Sequence, residues 1–499
     1  MKEVIIFTLN KNHEPVFLTD LISRISNTGD CEIYKFYIPH HIGEAPAEFP
    51  KNWAVSGLQE SETNTIKTLD VNSIDYDSRI IINLTNLADV TTFIKGATYF
   101  NCSILDGYCH SYFPKLINAI ISEDDVIQSR ITLQHLTGDS SSLRTGTFKI
   151  IKYDYPLTLE ILIQGTIQLL AESINDFRKG IFGENLTVNH KSKNSSNLIK
   201  ETIHKVSNAK LKHRIDQLFF TQKWNIGIIK KPIAEVALST SGKFDVEWLK
   251  ESSGNDFAAD PFGYIENGVP QILFEKYLDG KGILQISSFD KQPVNLIELD
   301  IHASYPYLFN YSGQWYCVPE QHALGKLELY RFNSEERKLN KHCTILQNFK
   351  AVDPSIIHYN NKWWLFCTNA EEKGADLRLY IFHALQLEGP WVPHLKNPVK
   401  TDISSARPAG HLFVYNNILY RPSQDSSRSY GGAIKINKID QLDENSFRET
   451  VVNKLEPSRL NGPYAEGWHT LSSCGEYTLV DGKRKALSVR NLLKIIRKK

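Results

Sequence analysis

The chain has 499 residues, of which 41% are hydrophobic and 23% are charged, the balance of an ordinary globular protein of two or three domains. Its 57 Lys and Arg residues against 56 Asp and Glu residues exclude a global charge that would draw it to nucleic acid or to a membrane. The seven cysteines are scattered without a CxxC pair, which argues against a disulfide framework or a zinc site and favours reduced thiols.

The start of the chain predicts a strand rather than a targeting signal. The stretch MKEVIIFTLN has a short apolar run without the hydrophobic region and cleavage site of a signal peptide. No stretch reaches the roughly twenty apolar residues that span a bilayer. We therefore expect a cytoplasmic protein.

Residues 1–177 are predicted to form an α/β domain. Apolar runs at 4–7, 31–39 and 79–85 have the length of strands, and the stretch 155–177 predicts a helix. The domain contains neither a dinucleotide-binding glycine fingerprint nor a P-loop, so nothing in it favours a nucleotide site of either kind.

The order of strands, loop, short β unit and long helix in residues 1–177 resembles a formyltransferase-like domain. That resemblance implies an Asn, a His and an Asp around a formyl group, and the sequence does not reproduce the trio. His110 and Ser111 lie near the expected place, and His135 and Asp139 are further polar candidates that fit surface or turn positions equally well. Two interpretations stay open, a degenerate domain or a site for formyl or related acyl transfer that needs a folate-like carbon donor.

Two polar segments flank the second domain. Residues 178–222 are basic and poor in large apolar residues, which predicts a linker or exposed segment. Residues 485–499 follow, with apolar residues at 489, 492, 493 and 496, the pattern of an amphipathic helix. This basic tail could lie on an anionic membrane surface or dock on the N-terminal domain.

Residues 223–484 contain one pattern written four times. Each copy has a proline, an apolar run, a two-residue turn and a second apolar run, and the prolines are 45, 48 and 54 residues apart. The copies begin with ADPFGYIENG, SYPYLFNYSG, VDPSIIHYNN and ARPAGHLFVYNN. Repeats of this length predict a β-propeller. Strand-like stretches at 224–233 and 466–484 can pair as a closing blade, so we expect five blades, with six if 284–300 contributes more.

Aligning the copies places polar residues in two registers. The first register, directly before the repeated prolines, holds Asp260, Tyr305, Asp353 and Arg407. The second, eight positions beyond the first turn residue, holds Glu275, Glu320, Thr368 and Gln424. Because the innermost strands of a propeller line its central channel, these registers predict a shared polar pocket. The alternative is that each Asp-Pro merely starts a strand.

The leading catalytic candidates are carboxylates, namely Asp260 and Asp353, with Glu320 as the first choice of acid and Glu275 as the second. Candidate substrate-binding residues are His302, Tyr305, Arg407, Arg421, Gln424, Asp425, Arg428 and His469. The arginines suit a phosphate or a carboxylate because guanidinium donates in pairs. Each residue alone could instead be structural or solvated. No metal-binding motif is present, and an ion among the axial carboxylates stays open.

The repeats and the stretch YRPSQDSSRSYGGA resemble the N-terminal domain of the glucosamine inositolphosphorylceramide transferase family. The propeller with axial carboxylates also resembles arabinanase, xylosidase and fructosidase folds. That resemblance implies a general base or nucleophile at Asp260, an orienting role for Asp353 and a Glu as acid.

Three functions follow as hypotheses. The first is a glycosyltransferase-type enzyme in the assembly of a surface polysaccharide or glycolipid, taking an activated nucleotide sugar as its donor. The second is a non-catalytic glycan-binding or scaffold protein. The third is sugar N-formyl or acyl transfer by the N-terminal domain. The expected partners are a carbohydrate or glycolipid and, through the basic tail, the inner membrane face; nucleic acid is not expected.

Overall fold

The computed structural model describes residues 3–10, 31–38, 67–68, 79–83, 99–103, 119–120, 122–134, 140–181, 184–185 and 198–487 apart from 252–255, 289–291 and 372–374. The chain divides into two compact units, Met1–Arg214 and Ile215–Lys499. His110, Ser111, His135, Asp139 and the tail from residue 488 onward lie outside the described residues.

The described part of the first unit contains a mixed sheet, a long helix packed on it and most of a second helix that begins at Leu198. Its strands are β1 Glu3–Asn10, β2 Cys31–Ile38, β3 Lys67–Thr68, β4 Arg79–Asn83, β5 Tyr99–Ser103, β6 Val126–Gln134, β7 Ser140–Lys149 and β8 Glu184–Asn185. The order is β3-β2-β1-β4-β5-β6-β7, parallel as far as β5 and antiparallel from β5 to β7. These elements have the α/β character that was predicted, and the formyltransferase-like assignment stays a prediction.

Helix α1, Tyr155–Arg178, packs on this sheet. Asp154 caps its N-terminus by accepting the Leu157 N–H. By length and hydropathy α1 could cross a membrane, but 61% of its most apolar stretch is buried inside the protein, as in an ordinary core helix. Arg144 binds Glu172 and Asp176 on its polar side, at 2.9 and 2.7 Å. The charges on this helix are therefore paired within the unit.

The polar segment predicted as a linker, 178–222, contains helix α2, Leu198–Phe219, and the start of the first strand of the second unit. Leu211 and Ile215 on α2 are more than a third exposed. Much of the described part of the segment is therefore helical, and its assignment as a linker or exposed segment stays a prediction.

The second unit has a propeller-like arrangement. Its elements are β9 Phe220–Ile229, α3 Ile233–Ala237, β10 Glu247–Trp248, β11 Phe257–Glu266, β12 Val269–Leu278, β13 Lys281–Ser287, β14 Val294–Asn295, β15 Ser304–Tyr311, β16 Gln314–Glu320, β17 Lys326–Asn333, β18 Lys338–Gln347, β19 Ala351–Tyr359, β20 Lys362–Asn369, β21 Arg378–Ala384, β22 Val392–Pro393, β23 Lys400–Asp402, β24 Phe413–Tyr415, β25 Ile418–Asp425, β26 Ala433–Leu442, β27 Phe447–Leu455, β28 Leu471–Cys474 and β29 Tyr477–Leu487.

Four sheets have four strands each: β11–β14, β15–β18, β24–β27, and a terminal sheet in the order β10-β9-β29-β28. Strands β19 to β22 also pair antiparallel in succession. In the terminal sheet β9 pairs with β29 over ten residues, so Trp224 lies opposite Lys483. The predicted pairing of the two ends of the array is therefore confirmed, and it leaves neither end of the array as a free edge.

The hairpin turns agree with their sequence signals. Asn267, Ser312, Asn360 and Asn416 all have positive φ, between 50 and 51°. Such values favour Gly and Asn in two-residue turns between antiparallel strands. The apolar faces of neighbouring sheets pack together, and a large part of this core is aromatic, including Phe262, Tyr307, Trp363 and Phe332.

Candidate functional site

The residue before each of the first three repeated prolines sits at a β-bulge. Asp260, Tyr305 and Asp353 have φ of 53, 46 and 47°, and the register of the hairpin shifts at each of them. A left-handed conformation costs a non-glycine residue roughly 1–2 kcal/mol. Bulges also redirect side chains out of the regular alternation. The three residues thus adopt an unfavourable backbone in the same place of three successive sheets.

A cavity of about 200 Å³ lies where the second-unit sheets converge. Its polar lining combines carboxyl groups, histidines and one arginine, and its apolar lining is largely aromatic. The lining residues are Trp224, Phe257, Ala259, Asp260, Glu275, Tyr277, His302, Ser304, Glu320, Arg407, Tyr430 and His469. The structure therefore brings six of the predicted site residues to one cavity, from both registers and from outside them.

Asp260 is held by the segment that precedes β28. Its Oδ1 accepts the hydroxyl of Thr470 at 2.8 Å and lies 3.3 Å from Nε2 of His469. On the other side of the imidazole, Nδ1 lies 2.7 Å from Oδ2 of Asp481. The result is a buried carboxyl–imidazole–carboxyl row in which the side chains of Asp260 and Asp481 are 8% and 0% exposed.

Burial dominates the acid–base chemistry of this row. Burial raises the pKa of Asp260, and the positive charge of His469 acts in the opposite direction. Burial also disfavours the charged imidazole, but the carboxylates of Asp481 and Asp260 outweigh it and raise the pKa of His469. His469 is therefore protonated at a higher pH than an ordinary histidine, and Asp260 is a stronger base than an ordinary aspartate.

The row also offers one possible metal-ligating atom per residue, all within 4.8 Å of one another. Both oxygens of Asp481 are already occupied, because Oδ1 accepts the N–H groups of His469 and Thr470 and Oδ2 accepts that of Asp260. Asp481 is thus held by three backbone N–H groups, whereas Nδ1 of His469 makes no hydrogen bond among the described residues although Oδ2 of Asp481 lies 2.7 Å away.

Asp353 and Arg407 form an ion pair beside the cavity. Nε and a terminal nitrogen of Arg407 donate to the two oxygens of Asp353 at 2.6 and 3.3 Å. Its other terminal nitrogen donates to Asp376 at 2.5 Å. Gln424 adds a 2.6 Å bond to Asp353. Asp353 itself is 2% exposed and lies behind Arg407, outside the cavity lining.

Glu320 lines the cavity as an anchored carboxylate. Its Oε1 lies 2.8 Å from Nδ1 of His322, and its Oε2 accepts the backbone N–H of Asp353 at 3.0 Å. Burial alone would raise its pKa, but the bond to His322, the charge of Arg407 and the N–H of Asp353 lower it overall. Glu320 is therefore ionised at neutral pH.

Glu275 has the opposite character. It is 7% exposed, and burial together with the nearby charges of Asp260 and Glu320 raises its pKa well above the ordinary range. His302 lies 3.7 Å away through Nε2, which carries the hydrogen because Nδ1 accepts the Gly282 N–H at 2.9 Å. A Cβ on Gly282 would lie 2.3 Å from the Glu275 carboxyl, so only glycine leaves room for it. The pKa of Glu275 is thus shifted in the opposite direction to that of Glu320.

Other predicted site residues do not line the cavity. Tyr305 is fully buried, and its hydroxyl accepts the Gly410 N–H at 2.5 Å and contacts Ser355. Arg421 is also fully buried and binds Glu449 with both ends of its guanidinium, at 2.6 and 2.9 Å. In these contacts Tyr305 and Arg421 stabilise the fold rather than line the cavity. Their partners are distant in sequence, so the alignment of the repeats could not predict that both side chains are buried.

The loop at 421–432 likewise contributes less than its composition predicted. Asp425 is buried and pairs with Lys454 at 3.1 Å. Arg428 is exposed and does not line the cavity. Tyr430 of the same loop does line it, with its hydroxyl 3.4 Å from Arg407. Sequence reasoning missed Tyr430, together with Trp224, His322, Asp376, Thr470 and Asp481, because none of them belongs to either repeat register.

Comparisons with solved structures concern the fold of the chain. An exo-1,5-α-L-arabinanase from a bovine ruminal metagenomic library is 13% identical with a TM-score of 0.32, covering 40% of this chain and 78% of that one. A family 117 glycoside hydrolase from Zobellia galactanivorans is 12% identical with a TM-score of 0.34, covering 55% and 92%.

Sequence comparison gives a more specific result. Residues 231–469 match the family described as glucosamine inositolphosphorylceramide transferase 1, N-terminal. Proteins named glucosamine inositolphosphorylceramide transferase 1 are similar: that of Arabidopsis thaliana is 33% identical over 251 residues, and that of Oryza sativa subsp. japonica is 30% identical over 239. These matches cover 46% and 45% of this chain but only 32% and 30% of the relatives. The family resemblance inferred from the repeats is thus supported for the propeller-like unit.

Proposed function

We propose that the propeller-like unit acts on a glycan or glycolipid and that the cavity beside Asp260 and Glu275 is its active site. The observation that carries the proposal is the unequal state of the carboxyl groups in one aromatic-walled cavity. Burial and neighbouring charge raise the pKa of Glu275 well above its ordinary range, whereas the bond to His322 and the charge of Arg407 lower the pKa of Glu320. Cleavage of a glycosidic bond needs one carboxyl that gives a proton and another that accepts one.

In this proposal Glu275 is the general acid. Its proton passes to the oxygen that leaves the anomeric carbon when the glycosidic bond breaks. Asp260 accepts the proton of the incoming hydroxyl, from water or from a sugar, as a new bond forms at that carbon. The row Asp260–His469–Asp481 supports this step, because a proton on His469 balances the charge of the two aspartates.

Arg407 and Asp353 are positioning residues in this scheme. The guanidinium forms part of the cavity wall and is held in place by Asp353 and Asp376. Trp224, Tyr430 and the stacked pair Phe257 and Tyr277, whose ring centroids are 4.6 Å apart, offer apolar faces on which a sugar ring could pack.

The relatives favour glycosyl transfer within glycolipid assembly. Their name describes transfer to inositolphosphorylceramide, and this chain matches only about a third of their length. We propose a glycolipid or related glycan as the substrate here, with the protein working in the cytoplasm at the membrane face. A vesicle-flotation assay with and without residues 488–499 would test the membrane contact.

The experiment that tests the function compares three variants on a panel of glycosides and glycolipids. Asp260→Asn and Glu275→Gln keep the shape of each side chain and should lower turnover about 100-fold or more while binding persists. Glu388→Gln is the matched control, because Glu388 is a half-exposed carboxyl that pairs with His342 on the surface. Binding that is equal in all variants, with no turnover in the unmodified protein, would instead favour a non-catalytic glycan-binding protein.

A further inference from the structure

The negative charge around the cavity limits which group the bound sugar carries at its anomeric carbon. Asp260, Glu275 and Glu320 line it, and Asp353 and Asp481 lie directly behind. Among the described residues of the lining, Arg407 is the single Lys or Arg. The cavity is therefore surrounded by more acidic than basic groups.

The Arg407 guanidinium is already paired with two carboxylates. Its Nε and one terminal nitrogen bind Asp353, and the other terminal nitrogen binds Asp376. Bidentate recognition of a phosphate uses two parallel N–H donors of one guanidinium. A phosphate would therefore have to compete with two carboxylates that already offset the charge of Arg407, one of them only 3% exposed.

The other basic side chains near the site are engaged in the fold. Arg421 is fully buried on Glu449. Lys483 is 3% exposed, lies under the Trp224 ring at 5.2 Å, and donates to the Tyr430 carbonyl at 2.6 Å. Neither can reach a ligand without unfolding its surroundings.

The acid in the cavity leads to the same conclusion by a different route. An alkoxide is a poor leaving group, so a glycosidic oxygen needs a proton as its bond breaks. A nucleoside diphosphate leaves as a stable anion and needs cations rather than an acid. Glu275, a buried carboxyl in the cavity lining whose pKa is raised, is matched to the first kind of leaving group.

The size of the cavity agrees with this assignment. Its volume of about 200 Å³ equals the space of roughly seven water molecules. That space suits a single sugar ring, with the group attached to the ring lying outside.

We propose that the cavity binds an uncharged, O-linked glycosyl unit and excludes a sugar carried on a nucleoside diphosphate. This inference rests on the proposed function and changes the donor: the glycosyl unit comes from an existing glycoside. The bond between the anomeric carbon and the glycosidic oxygen breaks as Glu275 protonates that oxygen. The acceptor hydroxyl bonds to the anomeric carbon and gives its proton to Asp260, and the proton returns to Glu275 through solvent.

The test is calorimetric binding of matched pairs, the methyl glycoside and the uridine diphosphate derivative of the same sugar, for several common sugars. In each pair that binds, the methyl glycoside should bind at least about tenfold more tightly, because like charges in a desolvated site repel strongly. Both members are measured with and without Mn²⁺, since a cation could bridge a diphosphate to the carboxylates.

The variant Asp376→Asn adds a second readout. It removes the negative charge of one of the two Arg407 partners and should reduce the ratio of the two Kd values within a pair severalfold. The surface variant Glu388→Gln should leave that ratio unchanged. Tighter binding of any diphosphate derivative, with or without Mn²⁺, would overturn the inference and leave the proposed function standing. A lack of binding by both members of every pair would overturn the proposed function and the inference with it.

Discussion

Replacing Arg407 by Met should destabilise the propeller-like unit by about 3 kcal/mol. The variant leaves Asp353 and Asp376 without their cation. The side chain of Asp376 is 23% exposed, so water can replace the guanidinium there, but that of Asp353 is only 3% exposed. Breaking a buried ion pair costs about 3–5 kcal/mol when the remaining charge stays buried. Gln424 still donates to Asp353, and a buried carboxyl can take up a proton, so the lower end of that range applies.

Urea unfolding followed by tryptophan fluorescence measures this cost. Seven of the eight tryptophans lie after residue 215, so the signal reports on the second unit. The double variant Arg407→Met with Asp353→Asn should recover at least about half of the loss, because a neutral amide needs no cation. Equal urea dependence in all variants would show that the change lies in stability and not in the denatured state.

The pH dependence of the stability loss in Arg407→Met tests whether Asp353 depends on its cation. Burial raises the pKa of Asp353, and in the Arg407→Met protein no guanidinium opposes that shift. A carboxyl whose folded pKa is raised binds more protons in the folded state, so its contribution to stability is present at low pH and is lost as pH rises. The deficit of the variant should therefore shrink between about pH 8 and about pH 5. A cost below about 1 kcal/mol, or one independent of pH, would show that Asp353 does not depend on its cation.

Three further outcomes follow from the same contacts. Glu275→Gln should raise stability at about pH 8 and lose that gain toward about pH 5, because the raised pKa of Glu275 makes its ionised form costly; urea titrations at both values measure it, and a gain that is larger at low pH would contradict it. Gly282→Ala should cost about 1–3 kcal/mol, since its Cβ would lie 2.6 Å from the Ala303 carbonyl, and should reduce turnover by displacing Glu275; an unchanged melting temperature would refute the crowding. Arg421→Met should cost about 2 kcal/mol, because Glu449 loses its guanidinium partner but keeps Lys400 at 2.8 Å, and it should leave the Kd for a glycan unchanged in the folded protein; a higher Kd in the folded variant would return Arg421 to the site.

The repeated architecture was open to prediction because it is specified locally. Each hairpin carries its own turn residues, and Asn267 and Asn360 adopt the positive φ that their sequence predicts. The pairing of β9 with β29 could also be inferred, although the strands are more than 200 residues apart, because an array with unpaired ends would expose two edges. Both the repeated hairpins and the pairing of the two ends could therefore be predicted without knowledge of side-chain contacts.

The site was only half accessible to the same reasoning. The two registers do converge, since Arg407 and Gln424 both donate to Asp353. The pKa of each carboxyl depends on partners that lie outside the repeat: His322 lies 2.8 Å from Glu320 and lowers its pKa, whereas His302 lies 3.7 Å from Glu275, whose pKa burial raises. Two glutamates in the same register thus have pKa values shifted in opposite directions, because of neighbours that no alignment of the copies could reveal.

The first register shows why backbone strain alone does not mark an active site. Asp260, Tyr305 and Asp353 share the same left-handed bulge, with φ within a few degrees of one another. Asp260 lines the cavity, Asp353 supports Arg407 from behind, and Tyr305 is buried on Gly410 and Ser355. The bulge is therefore a repeated feature of the fold, and the rest of the structure stabilises its strained backbone at all three positions. What separates the three residues is the chemistry of the side chain, and only at Asp260 does the redirected group meet both a titratable partner and the open cavity.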